Sequence, residues 1–335
     1  MILLNIFAAL ALLLTISNLL FIKSLKPKQF SRSYFDKIDI LIPMRNEESN
    51  VLPLLDSLRS APGLITVLDD SSTDKTSLLL RASNIELNVI TGQSLPEGWL
   101  GKPFACHQLA IQTNRKYIVF LDADVRLKAG AIESAIAYME DRNWDFISPY
   151  PKQLSRGLFG FLIQPLLQWS WFASIPFFLT KFLPVRSMVV ANGQFFIVKR
   201  NQYIMAGGHK AVRSEVIEDL ELARALVSSG AKGGVVDGSR ISSCLMYENN
   251  KELIAKLKDK DFNGMRKWVI QNLDKEPSAL FTSIYDVLYE NLEPKSIPQA
   301  VLIIAGYQYK AAFVADQEIN MVACLTEIMA GCKFK

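Results

Sequence analysis

The segment KYIVFLDADV, residues 116–125, ends an apolar run with two aspartates, Asp122 and Asp124. In an extended chain, residues i and i+2 project to the same side. The two carboxylates therefore leave the strand together. Two anions side by side in a poorly hydrated place repel each other and lose solvation. A divalent cation removes both costs, and hard oxygen ligands suit Mg2+ or Mn2+. Magnesium often takes only one or two protein carboxylates and completes its shell with water and phosphate oxygens. The pair thus suggests a metal-bound phosphate ligand. An isolated pair of this kind is as readily a solvated turn, so its company decides the reading.

Two other acidic stretches supply that company. In VLDDSSTDKT, residues 67–76, Asp69 and Asp70 end a second apolar run. Helix capping accounts for Thr73 or Asp74, but not for two successive aspartates at a strand end. A carboxylate there can accept a hydrogen bond from a nucleobase N–H. In VIEDLELARAL, residues 216–226, Glu218 and Asp219 open a helix with apolar positions Leu220, Leu222, Ala223 and Leu226. Acidic residues in a first turn are ordinary partners of the helix dipole. At the rim of a cleft, one can instead take the proton from a hydroxyl.

The elements that must position these groups alternate. Strands are expected at 38–43, 64–70, 85–91, 117–121 and in WDFIS, 144–148. Helices are expected at 48–60, 73–83, 103–113, 129–142 and 215–229. This order argues for an α/β fold with a mixed, mostly parallel sheet flanked by helices. Ligands of such sheets bind outside the carboxyl ends of the strands. PMRNEE, DDSSTD and DAD should therefore gather at one edge. Neither GxGxxG nor a P-loop pattern is present, so dinucleotide and P-loop readings lack their fingerprint.

Half of the 335 residues are apolar, and the formal charge is only +4. Nothing in that balance argues for a nucleic-acid partner. Ile2 to Ile22 carries no charge, and about 20 apolar residues suffice to span a bilayer. The segment lacks the basic start and small-residue cleavage site of a signal peptide. Residues 1–22 are therefore expected to be a retained transmembrane anchor, followed by a basic linker at 23–37. Positive residues stay inside, which places the remainder on the cytoplasmic side of a membrane. Cys106, Cys244, Cys324 and Cys332 are scattered and read as free thiols in a reducing compartment. Residues 157–184 are apolar but interrupted by two prolines, and read as a membrane-interface segment. Residues 250–274 read as one charged amphipathic helix. Residues 297–315 read as a surface-bound or packed helix rather than a second span.

Several stretches, in order and spacing, carry a family resemblance over residues 38–247. They are ILIPMRNEE (40–48), VLDDSSTDKT, GKPFACHQLA (101–110), FLDADV (120–125), ANGQFFIVKR (191–200) and AGGHKAVRSEVIEDLELA (206–223). Together they resemble the family-2 glycosyltransferases of the GT-A fold. GWLGKPFA and GGHKAVRSEVIED look most like the membrane-bound branch acting on lipids, which includes hopanoid-associated and carotenoid glycosyltransferases. The resemblance implies an inverting enzyme that moves a hexose from a nucleotide-diphosphate sugar, a UDP-sugar, to a lipid or isoprenoid acceptor. It implies that Pro43, Arg45 and Glu47 line the nucleotide pocket and that Asp70 contacts the base. Lys102 would serve the donor site, Asp122 the ribose and metal-diphosphate, and Asp124, with Asp122, the metal. Asp219 would be the catalytic base. Gly193 and the Gly207–Gly208 turn would lie on the acceptor side.

Departures from the family narrow the expectation. His107 stands where the family often has Asn, and is expected to be a hydrogen-bonded core residue. The QxxRW motif is missing; NGMRKW holds Arg266 and Trp268 out of register, which speaks against processive polymer synthesis. The C-terminal region, 248–335, lacks the paired spans expected of the lipid-acting branch and reads as helical. Rival readings are a sugar-1-phosphate nucleotidyltransferase and a catalytically degenerate membrane scaffold. The first lacks a Gly-rich loop after the first strand. The second is opposed by the intact set Asp70, Asp122, Asp124 and Asp219. A paired-carboxylate hydrolase would need neither a base-binding aspartate nor a metal.

Overall fold

The computed structural model describes residues 2–28, 36–154, 173–176, 185–244, 250–272, 277–311, 313–314 and 316–335. The chain divides into two units. One comprises Met1–Leu154 with Ile163–Met246, the other Ser155–Leu162 with Tyr247–Lys335.

The first unit is built on a mixed seven-stranded sheet. In chain order its strands are β1 (Ile38–Met44), β2 (Leu64–Asp69), β3 (Asn88–Thr91), β4 (Tyr117–Leu121), β6 (Phe146–Tyr150), β8 (Phe195–Lys199) and β9 (Gly233–Asp237). Their spatial order is β3-β2-β1-β4-β8-β6-β9. The first four run parallel, as does the β6–β9 pair. β8 runs antiparallel to both β4 and β6. All five residues of β4 and the first four of β8 are buried. Their unbroken apolar runs suit strands covered on both faces. Pro43 lies opposite Leu68, and Leu41 opposite Phe120. The polar residues after β1, β2 and β4 therefore emerge at one edge, as the sequence pattern implies.

A second sheet has the order β5-β10-β7, from β5 (Val125–Leu127), β7 (Lys152–Gln153) and β10 (Ser242–Cys244). It caps the acidic edge and brings Cys244 opposite Val125. The covering helices are α2 (Glu48–Ser57), α3 (Thr76–Arg81), α4 (Gly101–Ile111), α5 (Ala131–Asp141), α6 (Arg200–Met205), α7 (Gly208–Ala211) and α8 (Glu218–Ser228). α4 starts two residues earlier than its apolar spacing suggests. Pro103 is tolerated in a first turn, where its missing N–H has no helical acceptor. Lys102 is thereby drawn into the helix start.

The N-terminal helix α1 spans Ile2–Phe21. Leu12, Leu13, Leu19 and Leu20 on it are exposed. Among the described residues, no helix is long and apolar enough to cross a membrane. The side chains of residues 1–8, the first part of the expected anchor, lie outside that description. Part of the segment expected as a linker at 23–37 is packed on the sheet. Leu25 is buried, and residues 23–25 run along Asp237 of β9, with Leu25 N–H donating to Asp237 O at 2.9 Å. Residues 29–35 lie outside the described residues, as do 157–172 and 177–184 of the expected membrane-interface segment.

The second unit is helical: α9 (Asn250–Lys258), α10 (Phe262–Asn272), α11 (Pro277–Asn291), α12 (Ile297–Ala311) and α13 (Gln317–Gly331). The single helix expected at 250–274 is two. Lys260 adopts φ of 54°, a left-handed conformation that does not continue a helix. Asp261 then accepts the Gly264 N–H at 2.9 Å. α12 is a packed helix, with Ala300, Ile303 and Ile304 in a core that also holds Trp268, Phe281 and Leu325. Arg266 pairs with Glu318 at 2.9 Å. The NGMRKW stretch thus supplies a core indole and a surface ion pair within this unit. The four cysteines are buried free thiols.

Candidate active site

Lys102, in the first turn of α4, lies between two carboxylates. Its Nζ is 2.9 Å from Asp122 Oδ2, just beyond β4, and 3.1 Å from Glu218 Oε1 at the start of α8. Burial pulls the lysine pKa down, but Asp122 and Glu218 outweigh it and hold the ammonium well above its ordinary value. Burial pushes Asp122 up, Lys102 opposes that, and Asp124 and Glu218 add repulsion; the result is about 6. The end of β4 and the starts of α4 and α8 therefore hold a cation between two carboxylates.

Asp219 stands next to this cluster. Its Oδ2 accepts the Gly193 N–H at 2.5 Å and its Oδ1 the Leu220 N–H at 2.7 Å. Burial and the adjacent Glu218 raise its pKa, against the pull of Lys102 and the two N–H groups. A raised carboxylate is a better proton acceptor. Gly193 makes the close approach possible, since a Cβ there would lie 2.9 Å from Asp219 Cβ. Gly193 is held in place by β8, whose antiparallel insertion also lets Asp122 N–H donate to Gln194 O at 3.0 Å.

One cavity is lined by the expected residues Pro43, Lys102, Asp122, Gly193 and Asp219. Glu218 and His209 share it. Arg45, Glu47, Asp70 and Asp124 lie near the same sheet edge but outside that lining. Asp70 sits 3.9 Å from Arg45, with its N–H on Met44 O at 2.8 Å. Glu47 turns inward to accept from Asn50 Nδ2 at 2.8 Å. The two aspartates of VLDD have divided roles. Asp69 is buried and organises the turn through Ser72 and Ser77. Those hydrogen bonds hold its carboxyl below the usual range in spite of burial. The loops after β1 and β2 brace each other, with Asn46 N–H on Ser72 Oγ at 3.0 Å and Thr73 N–H on Asn46 Oδ1 at 2.8 Å.

Asp124 accepts from Cys244 Sγ at 3.1 Å through Oδ2. Its Oδ1 is buried and, among the described residues, has no hydrogen-bond partner. Such an oxygen costs free energy unless a donor or cation reaches it. No cluster of three or more His, Cys, Asp or Glu side chains that could hold a metal occurs among the described residues. The residues present still fit a cation bound by one or two carboxylates and by phosphate oxygens. Asp124 is the better-placed ligand, because Asp122 is already engaged by Lys102.

Residues 39–204 match the model for "Glycosyl transferase family 2". The chain carries a glycosyl transferase family 2 domain. The matched segment holds Pro43, Lys102, Asp122 and Asp124 and stops before Asp219. A Staphylococcus haemolyticus protein named 4,4'-diaponeurosporenoate glycosyltransferase is 28% identical over 222 residues, 63% of this chain and 57% of that protein. A Staphylococcus aureus protein of the same name is 26% identical over 220 residues, 63% of this chain and 56% of its own. The chain thus spans just over half the length of these relatives. A solved mannosyltransferase from Pyrobaculum calidifontis, in complex with GDP-Man and Mn2+, superposes with a TM-score of 0.49. Identity to it is 14%, over 96% of this chain and 98% of that one.

The chain's two histidines, His107 and His209, are placed differently. His107 is half-buried and packs on Trp99, with ring centroids 5.0 Å apart, outside the cavity lining. His209, which residue-type spacing does not single out, is buried and lines the cavity. Burial, Lys102 and His107 depress its pKa to about 3. In the unfolded chain an imidazole titrates near 6.5. The folded protein therefore binds fewer protons than the unfolded one between these values. The stability is fully present above about pH 6.5 and is lost as the pH falls toward 3. At about 1.4 kcal/mol per pH unit, the loss between pH 7 and pH 5 is about 2 kcal/mol. Asp122 acts in the opposite sense, so the informative comparison is with His209→Gln. The variant should show a smaller drop in melting temperature between pH 7 and pH 5 than the native chain. An equal drop would assign the proton uptake to another group.

Proposed function

We propose that this chain is a membrane-associated, inverting sugar transferase. The donor is a nucleoside-diphosphate hexose, taken here as a UDP-hexose. The acceptor is a lipid or isoprenoid hydroxyl or carboxyl at the cytosolic membrane face. One observation carries the reading: a lysine clamped between Asp122 and Glu218 shares a cavity with Asp219, whose carboxylate is oriented by two backbone N–H groups.

Lys102 stays cationic across the physiological range and stabilises charge developing on the departing diphosphate. Asp70, beside Arg45 at the end of β2, accepts from the base. Asp219 removes the proton from an acceptor hydroxyl, which attacks the anomeric carbon from the face opposite the leaving group. Mg2+ or Mn2+ held by Asp124 and Asp122 would, when bound, neutralise the diphosphate as a Lewis acid. Exposed leucines of α1 support a membrane site for a chain whose acceptor is a lipid.

The test combines two measurements on the full chain. UDP-hexose turnover is assayed with manganese and membrane lipids, and lipid extracts from cells with and without the protein are compared by mass spectrometry. New hexosylated lipids with UDP release are expected. UDP binding with no transfer to any lipid would instead favour a degenerate scaffold.

A further inference from the structure

The AGGH turn has a structural purpose that the donor and base residues do not use. Gly207 and Gly208 adopt successive left-handed conformations, at φ of 84° and 55°. A Cβ on Gly208 would lie 2.6 Å from the Tyr203 ring. The backbone therefore rests on that ring and can do so only as glycine. The next residue, His209, is left 3% exposed, edge-on to Phe120 with ring centroids 4.7 Å apart.

Hydrogen-bond accounting assigns the imidazole proton. Tyr203 Oη accepts the His209 backbone N–H at 3.0 Å and lies 2.9 Å from His209 Nδ1. Tyr203 is buried at 6% exposure. Its phenol carries one proton of its own, and Nδ1 is the acceptor within reach. If Nδ1 were instead the donor, that phenolic proton would be left without a partner. A buried donor without an acceptor is strongly disfavoured. Tyr203 therefore donates to Nδ1, and the neutral ring carries its proton on Nε2. A tyrosine and two glycines thus fix a ring that lines the cavity with Lys102, Asp122 and Asp219, and its Nε2–H is not spent on Tyr203.

The remaining polar groups of that wall differ from it. The carboxylates only accept, and Lys102 is engaged by two of them. The ligand group that fits between a neutral donor and carboxylate acceptors is a hydroxyl, which accepts from one and donates to the other. Resting on the transferase reading above, we propose that His209, although the turn before it was expected on the acceptor side, binds a hydroxyl oxygen of the donor's hexose and helps select the sugar, because it shares the cavity with the donor-site residues Lys102 and Asp122. It makes no demand on the nucleotide. A site built to pair a hydroxyl discriminates strongly when the pairing is removed.

The experiment measures UDP and UDP-glucose affinity in manganese for the full native chain, His209→Phe and His209→Gln. Phenylalanine removes the donor; glutamine retains an N–H at similar reach. His209→Phe should weaken UDP-glucose binding about tenfold or more, with UDP changed less than about threefold. His209→Gln should keep both within about threefold. Equal losses for UDP and UDP-glucose in His209→Phe, or no loss for either, would overturn the assignment. If His209→Phe melts before assay, Tyr203→Phe serves, because it leaves the imidazole but releases Nδ1. A selective loss for UDP-glucose is again expected, and an unchanged ratio would overturn the assignment. Failure of the native chain to bind UDP at all would remove the transferase reading, and this inference with it.

Discussion

Asp219→Asn should abolish sugar transfer while leaving UDP bound. Loss of a general base lowers rate by about 10²–10⁴-fold, or roughly 3–5 kcal/mol of barrier at 1.36 kcal/mol per decade. The amide cannot take a proton. It also cannot satisfy both backbone donors, since Gly193 N–H and Leu220 N–H each now meet a carboxylate oxygen. Donor binding should survive, because Lys102 keeps Asp122 and Glu218 as its partners. The measurement is kcat for transfer to a hydroxyl acceptor beside calorimetric UDP affinity with manganese. Native-like turnover would place the base elsewhere. A carboxylate acceptor offers an informative contrast. It has no proton to remove, so the same substitution should cost far less rate with it.

The second large effect concerns Asp124. Asp124→Ala should reduce manganese-dependent UDP binding by about 100-fold or more, since even residues that merely support a metal ligand are worth 10–100-fold in affinity. Stability should move the other way. The substitution removes a carboxylate oxygen that is buried and, among the described residues, unpartnered, and such a group costs about 1–3 kcal/mol. The melting temperature without metal should therefore hold or rise by a few degrees. UDP affinity without metal should change little. A protein that melts earlier yet binds UDP with manganese as before would assign Asp124 a structural role and move the cation elsewhere. The opposed signs separate the readings, because a damaged fold lowers both quantities together.

The sheet edge was legible because it is written in local patterns. Apolar runs stop at Met44, Asp69 and Leu121, and polar residues follow each. Parallel pairing then obliges those ends to emerge together. The division of labour at the edge was not legible. Asp69 and Asp70 are indistinguishable in VLDD, yet one is spent on Ser72 and Ser77 and the other lies beside Arg45. Glu47 resembles a pocket residue by position, but its carboxylate turns to Asn50. The break at Lys260 rests on one residue's backbone conformation within an otherwise amphipathic helical pattern.

By itself, the amino-acid order determined the α/β class, the shared strand edge and the residue types able to bind a cation, a diphosphate and a proton. These follow from period-two and helical spacing, which act over a few residues. Only the tertiary structure decided which of those groups meet. Lys102 reaches Glu218 across more than a hundred residues of chain, and Gly193 reaches Asp219 because β8 enters the sheet antiparallel. Strand order and direction are settled by the burial of whole faces, a sum over the entire domain that no short window contains. His209 became visible for the same reason: its chemistry depends on a neighbouring phenol, a glycine's missing side chain and a cavity that exists only once the sheet has closed around it.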